Sequence, residues 1–304
     1  MVFLLALRVK MRDKGEIMQK EKLQSGLNVG IIGLGLIGGS MGLALKELGI
    51  FSCIAGYDAN PMHSQQALSL GLVDECISKE ELLAGGDVIF LATPVEAICE
   101  ILQSITPKDI KPSCTIIDLG GTKSKIIDSV PSNIRKNFVA AHPMSGTEFY
   151  GPKAALPHLF KDKIMIVVDE QNSGEAQLKR AREIFLGIGS KIIKMDAISH
   201  DKHIALISHM PHIVSFSLAN AVLKQENPQM ILALIGGGFR SMTRLSKSSP
   251  QMWRDIFKQN STNLLDCIKS FQKELEMAKV LIENDDWEGL EAFMRSANEV
   301  GKVM

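Results

Sequence analysis

Apolar residues fall in short continuous runs over the first two-thirds of the chain, and stretches with helical spacing lie between them. The runs Val29–Ile32, Cys53–Tyr57, Asp87–Ala92, Thr115–Asp118, Phe138–Ala141, Lys163–Val168 and Lys191–Met195 predict strands. Ser40–Leu48, Ser64–Leu70, Val95–Leu102, Lys123–Val130 and Gly174–Leu186 predict the intervening helices. Strands that do not alternate with polar residues are buried on both faces, so this alternation implies a parallel sheet covered on both sides. Ligands of such sheets bind at the carboxyl ends of the strands.

After Met195 the pattern is helical throughout. Ile198–Lys224 is one long helical stretch with Pro211 inside it as a kink. Gln229–Ile235 is helical and ends at Gly236-Gly237-Gly238, and a polar loop follows over Phe239–Ser249. Ser249-Pro250 is a cap followed by an N1 proline. It opens a helix expected to run to about Ile282, with apolar Trp253, Ile256, Phe257, Leu264, Leu265, Ile268 and Phe271, and a last helix covers Trp287–Val300. These helices are long for the region they occupy and carry more apolar stripe than one copy can cover, which predicts a homodimer through this region. Residues 1–27 fit neither part and read as a flexible extension or an upstream start. Val2–Leu7 is too short to span a membrane.

The stretch Asn28–Gly42 carries the first chemistry. A strand enters Gly33-Leu34-Gly35-Leu36-Ile37-Gly38, and a small-residue helix follows. In this G-x-G-x-x-G turn Gly33 permits the tight bend, Gly35 lets the backbone approach a pyrophosphate, and Gly38 lets helix and strand pack closely. The N–H groups at the helix start, at Leu36 and Ile37, face the phosphates. Asp58 ends the second strand, twenty residues past Gly38. A carboxylate there accepts from a ribose 2′-hydroxyl and repels a 2′-phosphate, which favours NAD over NADP. The plain alternative for Asp58 is a turn residue beside Asn60-Pro61. The expected architecture is therefore α/β: a Rossmann-type doubly wound parallel sheet over 28–195, then an all-helical domain over 196–304.

Composition narrows the classes. Net charge is zero, which gives nucleic acid or a membrane surface no electrostatic purchase as a partner. Five scattered cysteines without a C-x-x-C pair suggest reduced thiols in a cytoplasm. His200, His203, His209 and His212 have helical spacing that could hold a metal, but no carboxylate or cysteine completes a set, so no metal is expected.

Three polar segments remain: His142-Pro-Met-Ser-Gly-Thr-Glu148, Ser208-His-Met-Pro-His212, and Gly236-Gly-Gly-Phe-Arg-Ser-Met-Thr-Arg244 running on to Met252-Trp-Arg-Asp255. With the glycine turn, and over roughly Asn28–Ser270, they resemble the prephenate dehydrogenase family, which includes arogenate and cyclohexadienyl dehydrogenases. The resemblance implies NAD(P)-dependent oxidation of a ring hydroxyl with loss of carbon dioxide, and Asp58 favours NAD. It implies that His142 is the catalytic base, Arg244 the clamp on substrate carboxylate, His212 a substrate-facing histidine and His209 its support. Thr147 would contact substrate or cofactor, or else cap its loop. Thr93 would line the cofactor, and Trp253 would pack near the pocket or in the core. Arg240 and Lys247 are cations more simply read as solvated.

One departure stands out. The family reads D-x-G-S-x-K where this chain has Asp118-Leu-Gly-Gly-Thr-Lys123, so Gly121 replaces a serine that bonds the catalytic histidine and the substrate hydroxyl. Thr122, or a water, is expected to take its place. The expected reaction makes 4-hydroxyphenylpyruvate from prephenate. Arogenate is the alternative substrate. A β-hydroxyacid dehydrogenase and a non-catalytic NAD-sensing dimer are the more distant readings. Twenty-seven residues before the glycine turn are too few for a chorismate mutase domain, so any inhibition by tyrosine is expected at or near the active site.

Overall fold

The computed structural model of the chain describes residues 25–302. Of the segment expected as an extension, residues 1–24 lie outside the described ones. Leu27 is instead buried in the core, and the Gly26 N–H donates to Ile50 O at 2.8 Å.

Eight strands form one sheet: β1 (Asn28–Ile32), β2 (Cys53–Tyr57), β3 (Glu75–Cys76), β4 (Val88–Leu91), β5 (Thr115–Asp118), β6 (Phe138–Pro143), β7 (Ile164–Val168) and β8 (Lys191–Met195). Their order is β3-β2-β1-β4-β5-β6-β7-β8. The short β3 and the helix after it were not expected from the apolar pattern.

Successive residues of each strand enter opposite cores. Val29, Ile31, Val88, Phe90, Ile117, Val139, Ala141, Met165 and Val167 pack on one face. Ile32, Ile89, Leu91, Ile116, Phe138, Ala140, Ile166 and Val168 pack on the other. This two-sided burial is why the strands read as unbroken apolar runs.

The expected parallel sheet is present, with one antiparallel junction. β7 runs antiparallel to β6 and parallel to β8. The described residues between Pro143 and Ile164 hold no α-helix, only a 3-10 turn at Pro152–Ala154. Without a crossover helix the chain re-enters the sheet from the end where β6 stopped, and the Met144 N–H donates to Ile164 O at 2.8 Å. Strands buried on both faces carry no directional signal in their side chains, so the reversal was invisible in the apolar pattern.

The helices of this part are α1 (Leu36–Leu48), α2 (Pro61–Ser69), α3 (Lys79–Gly85), α4 (Val95–Ser104), α5 (Ser124–Asp128) and α6 (Glu175–Gly187). The helical region then begins with α7 (Ala197–Ile204) and α8 (Met210–Leu223), joined by a π-helical turn over Ala205–His209. The bend expected at Pro211 is taken up by that turn. Pro211 lies two residues past that turn, where its missing N–H interrupts the helical hydrogen-bond ladder. Ala197 and Ile204 of α7 join the core on the α4 face of the sheet, which docks the helical region there.

α9 (Pro228–Ala233) and α10 (Gly237–Met242) follow, and a 3-10 turn at Arg244–Lys247 gives helical form to much of the expected polar loop. The expected single helix after Pro250 is two: α11 (Pro250–Gln259), capped by Ser249, and α12 (Ser261–Glu283). Asn260 breaks them because its buried side chain is used elsewhere, donating to Asp201 O at 2.7 Å. α13 (Trp287–Ala297) closes the region.

Candidate active site

The cofactor edge is built by backbone constraint. Gly33 sits at φ +94°, and a Cβ there would lie 2.7 Å from the Ala92 carbonyl and 2.8 Å from the Thr93 methyl. Thr93 therefore packs directly against the glycine turn. A Cβ on Gly38 would meet Gly33 O at 1.8 Å, whereas one on Gly35 would meet nothing within 4 Å. Gly35 borders open space, as a position approached by a pyrophosphate requires. It is also the N-cap of α1 and offers no side-chain cap, so the N–H groups of Leu36 and Ile37 open the helix uncapped.

Asp58 closes this edge from the end of β2. One carboxylate oxygen accepts from the Leu34 N–H at 2.8 Å and the other from the Asn60 N–H at 2.9 Å, with His63 Nδ1 3.4 Å away. The carboxylate thus lies against the glycine turn itself. These residues fit a dinucleotide with an unmodified ribose.

The polar centre lies at the ends of β5 and β6. His142 is the penultimate residue of β6, and its Nδ1 is 2.9 Å from His200 Nε2. His200, on α7, is buried, and its Nδ1 is 2.8 Å from Asp201 Oδ1. The Asp201 carboxylate also accepts from the N–H groups of Lys123 (2.8 Å) and Ser124 (2.9 Å) at the start of α5. Burial alone would raise the Asp201 carboxyl, but the bonds from His200, Ser124 and Lys123 outweigh it and hold its pKa at about 2. Burial, helped by the nearby His200 and Lys123, drives the His142 imidazole well below its ordinary pKa, so it is neutral at neutral pH.

Beneath His142, Lys123 and Asp118 form a buried ion pair. The Lys123 ammonium also donates to Ala141 O at 2.7 Å, and the Ala141 N–H donates to Asp118 Oδ1 at 3.1 Å. The pair thereby fixes the backbone immediately before His142, and removing one partner would strand a buried charge.

The helical region supplies the other wall. His209 is buried and pushed down to about 4, mainly by burial, and its Nδ1 is 3.3 Å from Asn260 Nδ2. His212 stacks on Trp253 with centroids 3.5 Å apart, and its Nδ1 donates to Ser208 O at 2.9 Å. Trp253 is buried against His209, His212 and Phe257. Arg244 is half exposed and donates to Glu148 Oε2 at 3.0 Å, tying α10's trailing turn to the loop that follows His142.

The expected site residues thus fall into two groups around one edge of the sheet: Gly33, Gly35, Leu36, Ile37, Gly38, Asp58 and Thr93 in one, and Gly121, His142, His209, His212 and Arg244 in the other. Thr147 is exposed, and its hydroxyl accepts from the Phe149 N–H at 3.2 Å, the loop-capping alternative. The Thr122 hydroxyl, expected to take the serine's place, is engaged with Gln259 here. Thr122 is buried, and the hydroxyl donates to Gln259 Oε1 at 3.1 Å. A Cβ on Gly121 would stand 4.0 Å from His142 Nε2, so the space beside that nitrogen is left open. His200, Asp201, Asn260 and Glu148 were not expected as site residues. Ser199-His200-Asp201 near the start of a helix docked on the sheet, and the Glu that ends the His142 segment, were the available signals.

A glycine-turn sheet edge facing a neutral histidine under a helical wall defines a nicotinamide-dinucleotide-dependent dehydrogenase. The family model for the prephenate dehydrogenase nucleotide-binding domain matches residues 41–194, and that for the prephenate dehydrogenase dimerization domain matches residues 196–296. The chain belongs to the prephenate dehydrogenase family. The first match begins after the glycine turn, which stands on its own geometry. Prephenate dehydrogenase of Bacillus subtilis is 31% identical over 275 residues, covering 88% of this chain and 74% of that protein. Cyclohexadienyl dehydrogenase of Zymomonas mobilis is 29% identical, covering 85% and 89%. The structure of Aquifex aeolicus prephenate dehydrogenase in complex with hydroxyphenyl propionate and NAD+ superposes with a TM-score of 0.84 at 31% identity, covering 93% of this chain and 99% of that one.

Two alanine substitutions separate the roles of the glycines. Gly38→Ala should lower the melting temperature and abolish NAD binding together, because the Cβ strikes Gly33 O. Gly35→Ala should leave the melting temperature nearly unchanged while weakening NAD binding by about tenfold or more, since a lost close approach of about 1.4 kcal/mol is tenfold in Kd. Thermal melts and NAD titrations of both variants check this.

Proposed function

We infer that the chain catalyses the NAD-dependent oxidative decarboxylation of prephenate to 4-hydroxyphenylpyruvate and carbon dioxide. The observation that carries this reading is His142, neutral by burial and with Nε2 facing the open space beside Gly121 at the cofactor edge. His142 Nε2 takes the proton of the ring hydroxyl while hydride leaves the same carbon. Bound NAD supplies the hydride acceptor. The ring carboxylate then departs as carbon dioxide, and the electrons of the broken carbon–carbon bond complete the aromatic ring. The product keeps the former ring hydroxyl oxygen as its phenol.

Arg244 holds a substrate carboxylate. Its guanidinium offers several donors in one plane, and Glu148 is the anion that the substrate must displace or share. His212 presents Nε2, since its Nδ1 proton is given to Ser208 O. With Trp253 stacked on it, His212 forms the pocket wall. Arogenate, which carries an amine in place of the side-chain keto group, is the alternative substrate.

The division of labour that follows is a dinucleotide domain over 28–195 and a helical substrate and dimerisation domain over 196–304. Exposed Leu234, Met277, Ile282 and Trp287 give the helical region an apolar surface suited to a second copy. The stretch Ala197–Leu223 is long and apolar enough to cross a membrane. It carries His200, Asp201 and His209, all buried against the site, so we read it as the site helix of a cytoplasmic enzyme. The five free thiols agree with that compartment.

Kinetics of three variants test the roles. His142→Asn should lower kcat by about 10²–10⁴-fold with little change in KM. Because the His142 pKa is depressed, its free base persists below pH 6.5. The parent's kcat/KM should therefore stay flat down through that pH and fall only at lower pH. Arg244→Gln should chiefly raise KM for prephenate. Gly121→Ser has room beside His142 Nε2 and should keep or raise turnover; a collapse would show that the space itself is required. Light scattering at micromolar concentration should give a dimer.

A further inference from the structure

The hydrogen bonds behind His142 run in one direction. Asp201, ionised, can only accept, so the proton between it and His200 belongs to His200 Nδ1. Burial holds the His200 imidazole below its ordinary pKa, and in its neutral form the lone pair on Nε2 can only accept from His142. The His142 proton must sit on Nδ1, which places its own lone pair on Nε2. A neutral histidine in water prefers the opposite tautomer, with the proton on Nε2, which could not take a proton at that atom.

We infer that His200 and Asp201 are positioning residues for the base: Asp201 fixes the proton on His200 Nδ1, and His200 fixes the proton on His142 Nδ1, leaving His142 Nε2 free to receive the substrate's proton. This rests on the reading of His142 as the base. When His142 Nε2 takes the proton, the imidazolium keeps its Nδ1–H directed at His200 Nε2, and no further proton needs to move. Asp201 is itself pinned by the N–H groups of Lys123 and Ser124, and Asn260 holds its carbonyl. The row therefore runs from Asn260, between α11 and α12, through α7 to β6. Sequence separation hides it, because His200 lies 58 residues from His142.

The test is nitrogen-15 NMR of the histidine side chains together with turnover of the full chain. The parent should show His142 as a single Nδ1–H tautomer. His200→Leu removes the acceptor. It should return His142 to a tautomer mixture and lower kcat about 10²-fold, with prephenate KM within about twofold and NAD binding unchanged. His200→Gln keeps an acceptor oxygen and should recover at least about tenfold of that loss, with the Nδ1–H tautomer restored. An unchanged tautomer and unchanged kcat in His200→Leu would overturn the inference. If His200→Leu fails to bind NAD, His200→Gln decides alone: near-parental kcat with the Nδ1–H tautomer supports it, and a loss as deep as that of His142→Asn overturns it. Full turnover by His142→Asn would instead remove the reading of His142 as base, and the row would lose its catalytic role with it.

Discussion

The Asp201 carboxylate is the joint on which the site depends. It caps the first N–H groups of α5, orients His200, and belongs to the helix that docks the helical region on the sheet. A carboxylate so surrounded is costly to bury without its partners and rigid with them. The sheet end that carries His142 and the helices that carry His209 and His212 are thereby held to one another by a fixed charge.

A second buried charge works beneath it. Lys123 and Asp118 stitch the end of β5 to Ala141, so the backbone entering His142 has little freedom. The same short segment, Asp118–Ser124, therefore serves three ends: it bridges the two strands, starts α5, and leaves the space at Gly121. At Gly121, where the resemblance implied a serine, the structure leaves the space beside His142 Nε2 open and turns Thr122 toward Gln259.

Local constraints were legible in the sequence. Gly33 and Gly38 are dictated by backbone clashes of a few residues' reach, and Asp58 by its place at a strand end. His142 was visible for the same reason, as the polar residue closing an apolar run. What depended on partners far along the chain was not visible. The reversal of β7 leaves no trace in strands buried on both faces. Asn260 reads as a mid-helix residue until its partner Asp201 is known. His200 and Asp201 look like ordinary helix-start residues, because their roles are set by Lys123 and His142 across the fold. The partner of the Thr122 hydroxyl, Gln259, was equally hidden, because it comes from another helix.

The most direct measurement is NADH formation by the purified chain with prephenate and with arogenate, each offered NAD and NADP, with carbon dioxide release followed in parallel. The account predicts turnover on prephenate with NAD, one carbon dioxide for each NADH, and a marked preference over NADP. No turnover on either substrate while NAD still binds would contradict it.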